Sequence, residues 1–249
     1  MKKLGLIGYP LGHSFSKTYY LNKFEQENIH DIDYDLYPME DISSFETLYT
    51  HDTAYAGFNV TIPHKQEVMR YLTELSAEAA EIQAVNCITI KHQEGKVILK
   101  GYNTDAYGFQ HSLAPLLQPQ HTHALVLGNG GAAKAVCYAL KQLGITYQLV
   151  SRSKENGDIT YTELNQDVLD SHKLIINCSP LGTYPNVEAC PAIPYEFIGP
   201  AHLLYDLIYN PEETTFLRKG KEQGAAIKNG YEMLVLQAEQ NWAIWNQEN

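Results

Sequence analysis

His123-Ala124-Leu125-Val126-Leu127-Gly128-Asn129-Gly130-Gly131-Ala132-Ala133 runs from an apolar stretch through a glycine-rich turn into helix-forming residues. His123–Leu127 reads as a buried strand, Ala132–Leu143 as a helix and Ile145–Val150 as the next strand. That order is a βαβ unit. Gly128–Ala133 has the GxGxxA spacing of a dinucleotide-binding turn, in the context that motif demands. Gly128 permits the tight turn, Gly130 lets the backbone approach a pyrophosphate, and Ala133 allows close helix–strand packing. The helix start offers free N–H groups and a positive dipole end to phosphates. Asn129, Gly131 and Ala132 complete this candidate cofactor loop. A plain strand–helix turn could carry the same glycines; the βαβ context favours binding.

The following strand distinguishes the dinucleotides. An NAD site carries Asp or Glu about 20 residues beyond the first glycine. Here the stretch is Leu149-Val150-Ser151-Arg152-Ser153-Lys154, without an acid. Arg152 can pair with a 2′-phosphate through its planar fork, with Ser151 and Ser153 as hydroxyl donors and Lys154 as a second cation. NADP is the expected cofactor.

Working outward, Leu4–Gly8, Asp33–Tyr37, Gly57–Ile62, Asn86–Lys91 and Lys96–Gly101 read as strands, Ser16–Glu27 and Lys65–Leu75 as helices. Beyond a helix at Asp105–Leu117 and the βαβ unit, strands follow at Lys173–Cys178 and Leu203–Leu207. Tyr231–Trp245 places Leu234, Val235, Ala238, Trp242 and Trp245 on one helical face. Asn229 and Glu232 have the spacing of a capping box at its start. The expected architecture is α/β: an N-terminal α/β substrate domain (1–104 and 231–249) and a Rossmann-like, doubly wound NADP-binding domain (105–230). An active-site cleft is expected between them.

Composition narrows the classes. The 249 residues carry a formal net charge of −11, which disfavours nucleic-acid binding. No apolar run approaches a membrane span, and Leu4–Ile7 is too short for a signal-peptide core, so no membrane partner and a cytoplasmic location are expected. Cys87, Cys137, Cys178 and Cys190 are scattered and suit buried thiols in a reducing compartment. His13 and His64 sit beside polar motifs, but neither has metal-ligand spacing, and no metal is assigned.

Three segments of the first domain carry chemistry. In Gly12-His13-Ser14-Phe15-Ser16, two serines at a helix start can donate hydroxyls to an anion such as a carboxylate; helix capping is the plain alternative. In Gly57-Phe58-Asn59-Val60-Thr61-Ile62-Pro63-His64-Lys65, Asn59 and Thr61 share one strand face and Lys65 opens the next element. Gly101-Tyr102-Asn103-Thr104-Asp105 lies at the domain junction. Together Lys65 and Asp105 suggest a pair at a cleft mouth, with lysine as general acid/base.

These segments, with Ala84-Val85-Asn86, Gly128–Ala135, Asn177-Cys178-Ser179-Pro180-Leu181-Gly182, Asp206-Leu207-Ile208-Tyr209-Asn210-Pro211 and Met233-Leu234 ahead of Gln237, resemble the shikimate dehydrogenase family over almost the whole chain. The resemblance implies an NADP-dependent oxidoreductase that reversibly reduces 3-dehydroshikimate to shikimate, on the way to chorismate and aromatic amino acids. It implies that Ser14, Ser16 and Tyr209 hold the substrate carboxylate. It also implies that Asn59, Thr61, Asn86, Asp105 and Gln237 serve the ring hydroxyls or their supporting shell. Lys65 is the implied acid/base, positioned by Asp105, and Gly230 belongs to the cofactor site. The expected partner is the small-molecule substrate, with a monomer or homodimer as the assembly.

Two positions depart from the family pattern. Lys17 stands where proline is common, and is read as a solvated side chain rather than a lure for the acidic substrate. Glu232 replaces a glycine and is read as the partner of Asn229 in the capping box. The alternatives are a quinate/shikimate dehydrogenase using NAD and a catalytically silent NADPH-binding sensor. Arg152 counts against the first, the retained Lys65 and Asp105 against the second.

Overall fold

The computed structural model describes residues 1–12 and 14–248; His13, beside the first serine motif, lies outside the described residues. The chain divides into two compact units, Met1–Thr104 with the segment from Ala238 onward, and Asp105–Gln237.

The first unit contains β1 (Lys2–Gly8), α1 (Phe15–Gln26), β2 (Ile32–Pro38), α2 (Phe45–His51), β3 (Tyr55–Val60), β4 (Glu74–Leu75), α3 (Ala77–Ile82), β5 (Cys87–Gln93) and β6 (Lys96–Tyr102). Its sheet has the order β2-β1-β3-β5-β6-β4. β1 runs parallel to β2 and β3, whereas β5 is antiparallel to β3 and β6. Alternation along the strands feeds two cores. Ile7, Phe58, Val60, Ile88 and Ile90 pack with Phe45 and Val68 on one face, and Leu4, Leu6, Tyr34 and Ala56 pack with Tyr20 and Trp245 on the other.

The helix expected over Lys65–Leu75 does not form. A single 3₁₀ turn, Glu67–Tyr71, is followed by β4, which pairs with β6 through Glu74–Lys100 and Leu75–Gly101. The Lys65 carbonyl accepts from Val85 N at 2.7 Å instead of from a residue four positions on. That long-range bond ends any α-helical ladder at its start.

The second unit contains α4 (Asp105–Leu113), β7 (His123–Leu127), α5 (Gly131–Gln142), β8 (Thr146–Ser151), β9 (Ile159–Thr160), α6 (Gln166–Ser171), β10 (Leu174–Asn177), β11 (Leu203–Asp206), α7 (Thr215–Glu222) and β12 (Ala226–Lys228). Every strand pair is parallel, in the order β12-β11-β10-β7-β8-β9. Counted within the unit this is 3-2-1-4-5-6, with the order reversing between β7 and β10. Ala124, Val126, Leu174 and Ile176 face one core; Leu125, Leu127 and Ile175 face the other. Near-continuous apolar strands are what a parallel sheet covered on both faces requires.

The last helix, α8 (Tyr231–Glu248), changes unit between Gln237 and Ala238, whereas the sequence places that crossing near Gly230. Met233 packs in the second unit's core, while Ala238, Ile244 and Trp245 join the first unit's. The helical face read as one stripe therefore serves two cores. Among the described residues no helix is long and apolar enough to cross a membrane.

Candidate functional site

In the second unit the glycine turn leaves β7 at the reversal of strand order. Gly128 has φ +108°, a region L side chains rarely adopt, and its N–H donates to Val150 O at 2.9 Å. Gly130 is the N-cap of α5, and a Cβ built there meets nothing within 4 Å, so its backbone is open to a ligand. Gly131 and Ala132 form the first helical positions, where N–H groups lack intrahelical partners.

Asn129 joins this turn to the loop after β8, its Nδ2 donating to Asn156 O at 3.1 Å. A cavity of about 380 Å³ is lined by Asn129, Ser151, Arg152, Ser153 and Asn156. The Ser151 hydroxyl bonds the Ser153 carbonyl and accepts from Ser153 N, and Asn156 Nδ2 donates to Ser153 Oγ at 3.0 Å. Among the described residues Arg152 makes no hydrogen bond or ion pair within the protein. Lys154 does: its Nζ lies 2.6 Å from Glu163 Oε1, and that pairing, with Thr160 N, holds the Glu163 carboxyl down at about 2. Arg152 is therefore the cation left for a phosphate at this cavity. The open glycine backbone, the helix start and the unspent guanidinium fit a phosphorylated dinucleotide.

Gly230, also assigned to the cofactor site, donates its N–H to Ile208 O at 3.0 Å. A Cβ there would fall 2.0 Å from Leu207 O, so only glycine allows this approach. Tyr209 lies on the same loop, half-buried, and burial pushes its phenol up. Gln237 is buried and donates to Leu234 O at 2.8 Å; Asp105 is buried at the start of α4.

In the first unit Ser14 takes the N-cap position of α1 without making a side-chain cap bond. Its Oγ is buried and has no hydrogen-bond partner among the described residues, an arrangement that calls for a ligand or ordered water. Behind it runs a chain of buried polar groups. The Tyr34 hydroxyl lies beside the Ser16 side chain and donates to Asn59 Oδ1 at 2.8 Å; Asn59 Nδ2 donates to Asn86 O at 3.2 Å. Asn86 Oδ1 accepts from Thr104 N at 2.7 Å, its Nδ2 donates to Thr104 Oγ1 at 2.9 Å, and that hydroxyl donates to Asn241 Oδ1 at 2.6 Å. The structure thus joins Ser16, Asn59 and Asn86. Both ends of the Asn59 amide thus make hydrogen bonds inside the protein. Thr61 N donates to Ile7 O at 2.9 Å, and its carbonyl accepts from His64 N, which leads the backbone to Lys65.

Sequence reasoning missed Tyr34, Asn241, Asn177, Asp206 and Thr214 as members of buried polar networks. Asn241 left a signal: it lies three residues after Ala238 and four before Trp245, a polar group on an apolar stripe. The two departures also resolve. Lys17 pairs with Asp35 at 2.7 Å on the surface, tying α1 to β2. The expected capping box is absent, because α8 begins at Tyr231 and Gly230 takes the cap position. Asn229 Oδ1 accepts from Tyr231 N, and Glu232 pairs instead with Lys228.

A 3-2-1-4-5-6 parallel sheet, with a glycine turn at its reversal and a free arginine beyond the next strand, defines a dinucleotide-binding α/β protein. Comparison with known proteins narrows this. The model of the shikimate dehydrogenase substrate binding domain matches residues 6–88. Shikimate dehydrogenase (NADP(+)) of Methanococcus aeolicus is 37% identical, covering 98% of this chain and 91% of its own length. Crystal structures of shikimate dehydrogenase 1 from Peptoclostridium difficile (35% identity, TM-score 0.84, 99% of this chain and 92% of that one) and of shikimate 5-dehydrogenase from Thermus thermophilus with NADP(H) and shikimate (28%, 0.86, 99% and 94%) are similar to it. The chain belongs to the shikimate dehydrogenase family.

Proposed function

We propose that this protein is an NADP-dependent oxidoreductase that interconverts 3-dehydroshikimate and shikimate. Family membership supplies the reaction. The observation in this chain that carries the substrate half is the buried, unpartnered Ser14 hydroxyl at the head of α1, a donor awaiting an anion such as the substrate carboxylate. Ser16 and Tyr209 complete that set in this reading, with Thr61, Asn86 and Gln237 serving ring hydroxyls and Asn59 holding Asn86.

NADPH supplies the hydride. Gly128, Asn129, Gly130, Gly131 and Ala132 hold its pyrophosphate, Arg152 with Ser151 and Ser153 holds the 2′-phosphate, and Gly230 borders the remainder. Lys154 acts at a distance through its charge, since Glu163 engages it. Lys65 donates the proton that the ketone oxygen gains and stabilises the developing alkoxide. Asp105 is the carboxylate that favours the charged lysine. In this reading the substrate domain is Met1–Thr104 with the end of α8, and the NADP-binding domain starts at Asp105.

The test is consumption of NADPH with 3-dehydroshikimate. Rapid turnover supports the reading; NADPH binding without turnover contradicts it.

A further inference from the structure

Asp206, at the end of β11, is fully buried. Its carboxylate accepts from Asn177 Nδ2 at 3.0 Å and Ile208 N at 3.1 Å through Oδ1, and from Thr214 Oγ1 at 2.6 Å through Oδ2. All three partners are neutral, and among the described residues no lysine, arginine or histidine pairs with it. An unpaired buried carboxylate is costly, and such groups are kept where they organise something.

What it organises is three segments. Asn177 Oδ1 accepts from Ser179 N and Oγ, and its Nδ2 also reaches Leu181 O, which fixes the loop after β10. Ile208, held by Asp206 through its N–H, accepts from Gly230 N through its carbonyl, which fixes the entry to α8 and the Tyr209 loop. Thr214, held at its hydroxyl, caps α7 by accepting from Leu217 N. These segments follow the carboxyl ends of β10 and β11, the edge where a doubly wound sheet binds its ligand.

We propose that Asp206 is a positioning residue whose ionised carboxylate sets the register of these three segments, and that its protonation reorders their hydrogen bonds and lowers turnover with it. The inference rests on the NADP-dependent reading above. A neutral acid would present an O–H among three donors, so either one hydrogen bond is lost or the Thr214 contact reverses. Burial already pushes this carboxyl up to about 6, against the opposing effect of its three donors. The titratable groups facing it are the Cys178 thiol after β10 and the Tyr195 phenol ahead of β11. Burial pushes both up, so neither changes charge between about pH 5 and 8.

The experiment measures kcat/KM for NADPH from about pH 5 to 8 in the wild type, Asp206→Asn and Thr214→Val. Amide exchange at Ile208 and Gly230 is followed without ligand. The wild type should lose activity on the acid side, and the protection of Ile208 and Gly230 should change with it, both with a midpoint near 6. Asp206→Asn should abolish that limb and lower the plateau about tenfold, through KM more than kcat. Thr214→Val, which removes one donor to the anion, should move the limb up by about one pH unit and decides the matter if Asp206→Asn does not fold. An unmoved limb in Thr214→Val, or pH-independent protection of Ile208 and Gly230, overturns the proposal. Absent turnover with intact pH-dependent protection would instead count against the enzymatic reading alone.

Discussion

Trp245 occupies the space that any side chain on Gly57 would need: a Cβ on Gly57 would lie 2.3 Å from Trp245 Nε1. The indole N–H donates to Ile88 O at 3.0 Å, on the strand beside Gly57. The end of α8 is thereby fastened to the first sheet. Gly57→Ala must displace the indole, combining overpacking of about 1–3 kcal/mol with loss of a hydrogen bond worth about 1 kcal/mol. Thermal unfolding should show Tm lowered by several degrees; an unchanged Tm would mean the helix end is not docked as described.

Lys65→Ala should reduce turnover of 3-dehydroshikimate by about 10²–10⁴-fold, the usual worth of a general acid. NADPH affinity, read by fluorescence titration, should stay near the wild-type value. Unchanged turnover would remove Lys65 from the chemistry.

Arg152 and Lys154 are neighbours in sequence with different commitments. Arg152→Ala should weaken NADPH far more than NADH, because among the described residues its guanidinium makes no hydrogen bond or ion pair. Lys154→Ala should have a much smaller effect, since Glu163 already engages that ammonium. Equal losses for the two cofactors in Arg152→Ala would end its assignment to the 2′-phosphate.

His121 and His202 are buried in the second unit, and burial lowers both. Each Nδ1 accepts a backbone N–H, from Gln118 and Gly199, at 3.0 Å. Protonation would place a second hydrogen against that donor. Their folded pKa values lie below the unfolded value near 6.5, so their stabilisation is full above that pH and is lost as pH falls through the folded values. Asp206 runs the other way: raised to about 6, it costs stability once ionised and relieves that cost in acid. The clean readout is a difference. The Tm gap between the wild type and H121Q/H202Q should shrink as pH falls from about 7.5 to 5; a constant gap would contradict the assigned neutral forms.

Much of the second unit was legible because a parallel sheet leaves long apolar strands, and because the Gly128–Ala133 turn fixes both its neighbours and its ligand edge. The short elements β4, β9 and β12 span too few residues to show a period. The stretch after Lys65 misled because its carbonyl is spent on Val85, a contact twenty residues away. The side chains proposed to carry direct chemistry sit in motifs and could be named. Tyr34 and Asn241 act through one buried network and Asp206 through another, and pairing across distant segments leaves little local trace. Asn229 and Glu232 had the right spacing for a cap, but the first helical residue was one position later than that spacing required.

The central claim is tested most directly by following NADPH oxidation with 3-dehydroshikimate, with NADH and 3-dehydroquinate as parallel controls. The account predicts turnover that requires NADPH and 3-dehydroshikimate together. Equal rates with NADH, or with 3-dehydroquinate, would contradict the specificity assigned to Arg152 and the substrate side chains, and NADPH binding with no turnover would contradict the enzymatic reading itself.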